Sequence, residues 1–207
     1  MARTLLDCQR AYAEWAASYP PSPHNPLMHI EQDAMLAFAP PLGGLDVLDA
    51  GSGTGRYARL AKERGARSVI QCDASEAMLK HAVRVGASIR ADLSRLPFRD
   101  QSFDVVLSGL ALPDVPQIGL VIGEWHRVLR PAGVLVYSTL HPNGERLGWG
   151  RTFETPAGAW ALPAHWHSAA DHRHACREAG LTIEGVAEPS VDQVHAAAFV
   201  VRARRSD

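Results

Sequence analysis

The chain is expected to fold as a three-layer α/β sandwich around a mostly parallel sheet, and three observations predict it. Short apolar runs at 45–50, 67–72, 87–91, 103–108 and 133–139 alternate with helical patterns near 55–64, 75–84 and 117–130. This is the rhythm of a parallel sheet covered on both faces. The first run passes through Val47-Leu48-Asp49-Ala50 into Gly51-Ser52-Gly53-Thr54-Gly55-Arg56, a glycine-rich turn that opens a helix. Two further runs are followed at once by aspartate, Asp73 and Asp92, and ligands of open α/β sheets gather at the carboxyl ends of strands.

Taken in order, Leu5, Cys8, Tyr12, Trp15 and Tyr19 recur at helical spacing until Pro20-Pro21-Ser22-Pro23 stops the helix. Asn25 can cap a second helix with Pro26 at its first position, and Leu27, Ile30, Ala34 and Phe38 form its buried stripe. The alternating strands and helices follow, the last of those helices carrying Ile118, Val121, Ile122, Trp125, Val128 and Leu129 on one face. Residues 141–167 break the rhythm, with Trp149, Phe153, Trp160 and Trp166 set among glycine, proline and polar residues. An irregular segment of that length is usually functional, so it is the candidate wall for a substrate. A helix capped by Ser168 and ended by Gly180, with strands at 181–187 and 194–202, completes seven strands.

Composition narrows the function classes. At 207 residues the chain suits one well-buried domain, and a single domain over 1–207 is the expectation. A hydrophobic content of 46%, a charged content of 21% and a formal net charge of -1 give no reason for affinity to nucleic acid or to an anionic membrane. Arg202, Arg204 and Arg205 read as a solvated tail. Cys8, Cys72 and Cys176 are too far apart for a disulfide framework or a zinc motif and suit a cytoplasmic setting. The segment up to Tyr19 is too charged for a signal peptide, and no run is apolar enough to span a membrane. Monomer and homodimer both remain open.

The glycine spacing separates two classes of nucleotide ligand. A dinucleotide fingerprint, G-x-G-x-x-G, would put its third glycine at position 56, where this chain has Arg56; the glycines stand instead at 51, 53 and 55. An NAD-dependent oxidoreductase is disfavoured on that ground. With Asp49 before the turn, Asp73 after the second strand, the block Arg90-Ala91-Asp92-Leu93-Ser94-Arg95-Leu96-Pro97-Phe98, Ser102 to Ser108, and Glu124 to Leu135, the chain resembles the class I methyltransferases that use S-adenosylmethionine (SAM), of the small-molecule (type 11) kind. The resemblance runs from about Tyr12 to Phe199. It departs in small ways, with Ser52 where cysteine is common and Ala132 where glycine is common.

That resemblance implies a Rossmann-like seven-stranded sheet of order 3-2-1-4-5-7-6 with the last strand antiparallel, and an N-terminal helical lid over 1–40. It implies that the turn from Asp49 through Gly51, Ser52, Gly53 and Gly55 holds the methionine end of SAM, Asp73 the ribose hydroxyls, and Asp92 the adenine amino group. Leu93 and Met78 would lie against the ring, and Ala74, Ser108 and Tyr19 would complete the cofactor site. Plainer roles compete for some of these. Asp73 and Asp92 also suit helix N-caps, and Tyr19 is at core spacing.

The implied reaction moves a methyl group to oxygen or nitrogen of a small-molecule acceptor and releases S-adenosylhomocysteine. A non-catalytic SAM-binding partner protein is the alternative, and a protein or nucleic-acid methyltransferase a weaker one. His141, at the carboxyl end of the fifth strand and able to titrate near neutrality, is the expected general base or substrate-orienting group, with His167 from the irregular segment as second candidate; a structural role in the turn before Pro142 is the alternative for His141. No metal is expected. His172 and His174 point to different sides of one helix.

Overall fold

A seven-stranded sheet carries the fold of the computed structural model, which describes residues 3–206. Met1, Ala2 and Asp207, part of the expected lid and domain, lie outside the described residues. The short strand β1 (Thr4–Leu5) leads into α1 (Cys8–Trp15) and a 3-10 turn at Ala16–Ser18, followed by α2 (Pro26–Phe38). The alternating section comprises β2 (Asp46–Ala50), α3 (Arg56–Glu63), β3 (Ser68–Asp73), α4 (Glu76–Lys80), β4 (Ala87–Arg90), β5 (Phe103–Ser108), α5 (Ile118–Val128) and β6 (Leu129–Leu140). Then come α6 (Asn143–Arg146), β7 (Arg151–Thr155), β8 (Gly158–Leu162), α7 (Ala169–Glu178), β9 (Leu181–Ala187) and β10 (Ala198–Arg205).

The strand order is β4-β3-β2-β5-β6-β10-β9. β4 through β6 pair in parallel, and β10 runs antiparallel to both β6 and β9. Counted along the sheet's own strands this is 3-2-1-4-5-7-6, as the resemblance implies. Strand alternation builds two cores from adjacent residues. Leu48, Val106, Leu135 and Val201 face Trp125 of α5 and Cys176 of α7, whereas Val47, Val105, Val136 and Val200 face Met35 of α2 and Ala58 of α3.

Several boundaries differ from the sequence reading. α4 stops at Lys80 rather than continuing to 84, because Val83 N–H turns back to the Thr54 carbonyl. The last strand begins at Ala198, not 194; residues 190–196 form a loop organised by Asp192, which accepts from Val194 and His195 N–H. The arginine tail is not a tail. Arg202 and Arg204 pair with Glu184 of β9, and Arg205 donates to the carbonyls at the end of α5 and start of β6.

The largest correction concerns 141–167. Arg151–Thr155 and Gly158–Leu162 form an antiparallel hairpin, and β1 adds to it in parallel through Thr4↔Trp160 and Leu5↔Ala161. The alternation that buries Phe153 and Leu162 lets them pack with Leu6 and Ala11 in a small core of their own. The N-terminal segment and the hairpin are therefore one three-stranded unit. α2 is not part of it, since Met35 packs into the main core against the sheet.

Candidate active site

A cavity of about 580 Å³ lies between the carboxyl ends of the central strands and this three-stranded unit. It is within the usual size of small-molecule sites. One half of its wall is the glycine turn, with Asp73, Ala74, Met78, Asp92 and Leu93 around it. Gly51 has φ of 71°, and an added Cβ would stand 2.4 Å from Cβ of Ala111, so only glycine lets that segment close on the turn. Gly53 has φ of 54°, and nothing lies within 4 Å of where its Cβ would be. Its backbone faces open space in the cavity.

Two aspartates organise this half. Asp73 accepts from Gly53 N–H on Oδ2 at 2.7 Å and from Ser75 N–H on Oδ1 at 2.8 Å. It thus ties the glycine turn to the start of α4, and burial raises its carboxyl above the ordinary range despite those bonds. Asp49 is 1% exposed and accepts from Ala58 N–H on Oδ2 at 2.7 Å. Burial pushes its carboxyl up to about 7. Asp49 Oδ1, Ser52 Oγ and Thr54 Oγ1 are buried with no protein partner. Buried polar atoms are almost always satisfied, so this cluster fits a polar ligand laid along the turn. Cationic side chains on the wall are committed elsewhere: Arg56 pairs with the buried Glu31 at 2.7 Å, and Arg151 pairs with Asp114. The uncompensated carboxylates suit a ligand with positive charge.

Tyr19 lines the cavity too, edge-on to Trp15 and His24. Asp92 lines it while its Oδ1 accepts from Ser94 N–H and Oγ, so the turn-capping role and the cavity position coexist.

Four sequence-predicted residues are not on this wall. An added Cβ at Gly55 would strike the Gln71 side chain at 2.1 Å; this glycine starts α3 and makes room for packing. Ser108 is fully buried within the sheet. His141 is 7% exposed, with its Nδ1 accepting from Asn143 N–H and its Nε2 3.7 Å from Glu188, so it stabilises the turn into α6, and it is not among the residues that line the cavity. His167 bonds through Nε2 to the Val115 carbonyl at 2.8 Å and lies in a separate groove between α5 and α7. Neither of the two histidines expected as general base lines the cavity. Among the described residues, His24 is the imidazole that lines the cavity.

The outer half of the cavity holds what the sequence did not reveal. Asp114, in the 3-10 turn after β5, accepts from Tyr12 Oη at 2.7 Å, Cys8 Sγ at 3.2 Å and both terminal nitrogens of Arg151. Arg151 also donates to Tyr12 Oη and to the Pro163 carbonyl. The Cys8 thiol is pushed up to about 12 by burial and by Asp114, so it stays protonated as a donor. This cluster joins α1, β7 and the segment after β8 to the main sheet. No motif announces it, because its members are 106 and 139 positions apart in their pairings. Arg56 was legible only as a missing glycine, and Glu31 only as a helix residue; together with Tyr57 and Ser138 they form a buried network behind the turn.

A family model described as a methyltransferase domain matches residues 48–137. A malonyl-[acyl-carrier protein] O-methyltransferase of Pectobacterium atrosepticum is 36% identical over 117 residues, covering 55% of this chain and 46% of that protein. The chain spans about half the length of the curated relatives it matches. An S-adenosylmethionine dependent methyltransferase from Mesorhizobium loti superposes with a TM-score of 0.71 at 27% identity, covering 85% of this chain and 98% of that one. A SAM-dependent methyltransferase from Methanosarcina mazei, at 18% identity, shares the fold with a TM-score of 0.66 over 84% of this chain and 97% of that one.

Proposed function

We propose that the chain is a class I SAM-dependent methyltransferase, a reading supported by the methyltransferase-domain match over residues 48–137 and by the fold, and that it moves a methyl group from SAM to oxygen or nitrogen of a small-molecule acceptor. The observation that carries this reading is the cluster of unpartnered buried polar atoms at Asp49, Ser52 and Thr54, beside an open backbone at Gly53. SAM supplies, when bound, a methyl group on a positively charged sulfur, which an acceptor lone pair takes as the carbon–sulfur bond breaks. The protein's task is then orientation, water exclusion and removal of the acceptor's proton.

In this reading Asp49 and the turn through Gly51, Ser52 and Gly53 hold the amino-acid end, and Asp73 accepts from the ribose hydroxyls with the lone pairs its backbone bonds leave free. Asp92, Leu93, Met78 and Ala74 hold the adenine, and Tyr19 covers the donor. Gly55 and Ser108 support the turn and strand from behind. His24 takes the proton from an O–H or N–H acceptor, the role first expected of His141 and His167. The α5–α7 groove has no part in it. Among the described residues no helix is long and apolar enough to cross a membrane, and the same reading sets the activity in the cytoplasm.

Incubating the protein and methyl-labelled SAM with cell extract tests this. Mass spectrometry should find a small molecule heavier by one labelled methyl group, absent with an Asp73→Ala variant. Binding of SAM with no labelled product in any extract would favour a non-catalytic SAM-binding protein.

A further inference from the structure

The acceptor half of the cavity differs in chemistry from the donor half. Tyr12, Tyr19, Trp149 and Trp166 line it, and each is half-buried. The two tryptophans close on α6: a Cβ at Gly144 would stand 2.5 Å from the Trp166 ring and 2.7 Å from that of Trp149, so glycine lets both rings settle there. The ionic groups in this half, Asp114 and Arg151, neutralise one another, and the carboxylate accepts four donors from Cys8, Tyr12 and Arg151. A charged acceptor would lose its hydration here with no free countercharge to replace it. A flat apolar face is favoured, by area and by ring–ring contact.

We propose that the methyl acceptor is a neutral, ring-bearing molecule whose flat face lies against Trp149 and Trp166. This rests on the reading of the cavity as a SAM-dependent transferase site, and it separates the chain from the substrate named for its curated relatives. The family model matches residues 48–137, and both tryptophans and Arg151 lie beyond that match, so it carries no information on the walls that would select the acceptor.

Calorimetry on the protein saturated with S-adenosylhomocysteine, with 2-naphthol and malonyl-pantetheine as probes, tests the proposal. 2-Naphthol should bind at least tenfold more tightly than malonyl-pantetheine. Trp149→Ala and Gly144→Ala should each weaken it by about tenfold or more with S-adenosylhomocysteine affinity unchanged, and Trp149→Phe should retain most of it. Should Gly144→Ala fail to fold, the Trp149 pair decides alone. Equal or tighter binding of malonyl-pantetheine, or 2-naphthol binding indifferent to Trp149→Ala, overturns the acceptor class while leaving the methyltransferase reading intact. Failure of S-adenosylhomocysteine itself to bind overturns both.

Discussion

Asp49 holds a proton that the fold imposes on it. Its carboxyl is raised to about 7 by burial, so between the ordinary carboxylate value and 7 the native state keeps a proton that the unfolded chain has released. Stability therefore falls as pH rises through that window. A positively charged ligand reverses the preference by favouring the carboxylate, so SAM affinity should rise between about pH 6 and about pH 8. Calorimetry in two buffers of different ionisation enthalpy should show proton release on binding, lost in Asp49→Asn; no release in the wild-type protein would contradict the account. Asp73→Ala removes the ligand contact and also the Gly53 tether, and since hydrogen bonds to a charged group contribute about 1.5–3 kcal/mol each, SAM affinity should drop by more than roughly tenfold. For the proton step, His24→Gln should cut turnover by about 10²–10⁴-fold with S-adenosylhomocysteine affinity unchanged, whereas His141→Gln should not; the reverse result would restore His141. Asp73 and Asp92 were legible as cavity residues because each stands at or just beyond the carboxyl end of a strand. His24 was not legible as a cavity residue, because it lies in a proline-rich turn with no strand or helix to fix its direction, and the contacts of His141 with Glu188 and Asn143 have no local signal in the chain.

Among the elements, the three-stranded unit, tied to the main sheet through Asp114, supplies one wall of the cavity. Tyr12 and Arg151 reach Asp114 from different strands and helices of that unit, so Asp114→Ala leaves a buried guanidinium without its partner. Hydrogen exchange in residues 4–19 and 151–162 should then accelerate together by about tenfold or more, and S-adenosylhomocysteine should slow both in the wild-type protein. Acceleration of one segment alone would show that they are not one unit. The hairpin was hidden in the sequence because its strands are short and its partner β1 is two residues long and more than 150 positions away. Helix α7 offers a second handle. His172 is fully buried with Nδ1 against Tyr137 Oη, and burial with the neighbouring His167 lowers it from 6.5 to about 4. The unfolded chain binds a proton that the native histidine refuses, so this group's contribution is lost as pH falls from about 6.5 toward 4. Its slope opposes that of Asp49 over much of the same range. Melting curves of His172→Phe against the wild-type protein should isolate it, with the variant losing less stability on acidification.

At the scale of the whole molecule, the order of the sheet brings function to one place. β2 sits between β3 and β5, so the glycine turn after β2, Asp73 at the end of β3 and the Gly109–Ala111 segment after β5 converge on one edge. Alternation of strand and helix was readable from apolar runs, but the antiparallel insertion of β10 between β6 and β9 came from the resemblance, since periodicity carries no information on strand order. Of the acceptor wall only the location was readable, from the break in rhythm over 141–167, and not its geometry. It is made by packing α6, the hairpin and the N-terminal helix against one another, contacts with no local pattern in the chain. The central claim is that this one edge binds SAM in a single orientation. A crystal structure of the protein with S-adenosylhomocysteine tests it most directly: the amino-acid end should lie along Gly51–Gly53 near Asp49, the ribose on Asp73, and the adenine between Met78 and Leu93. Density for the ligand in the α5–α7 groove, or a ribose directed away from Asp73, would contradict it.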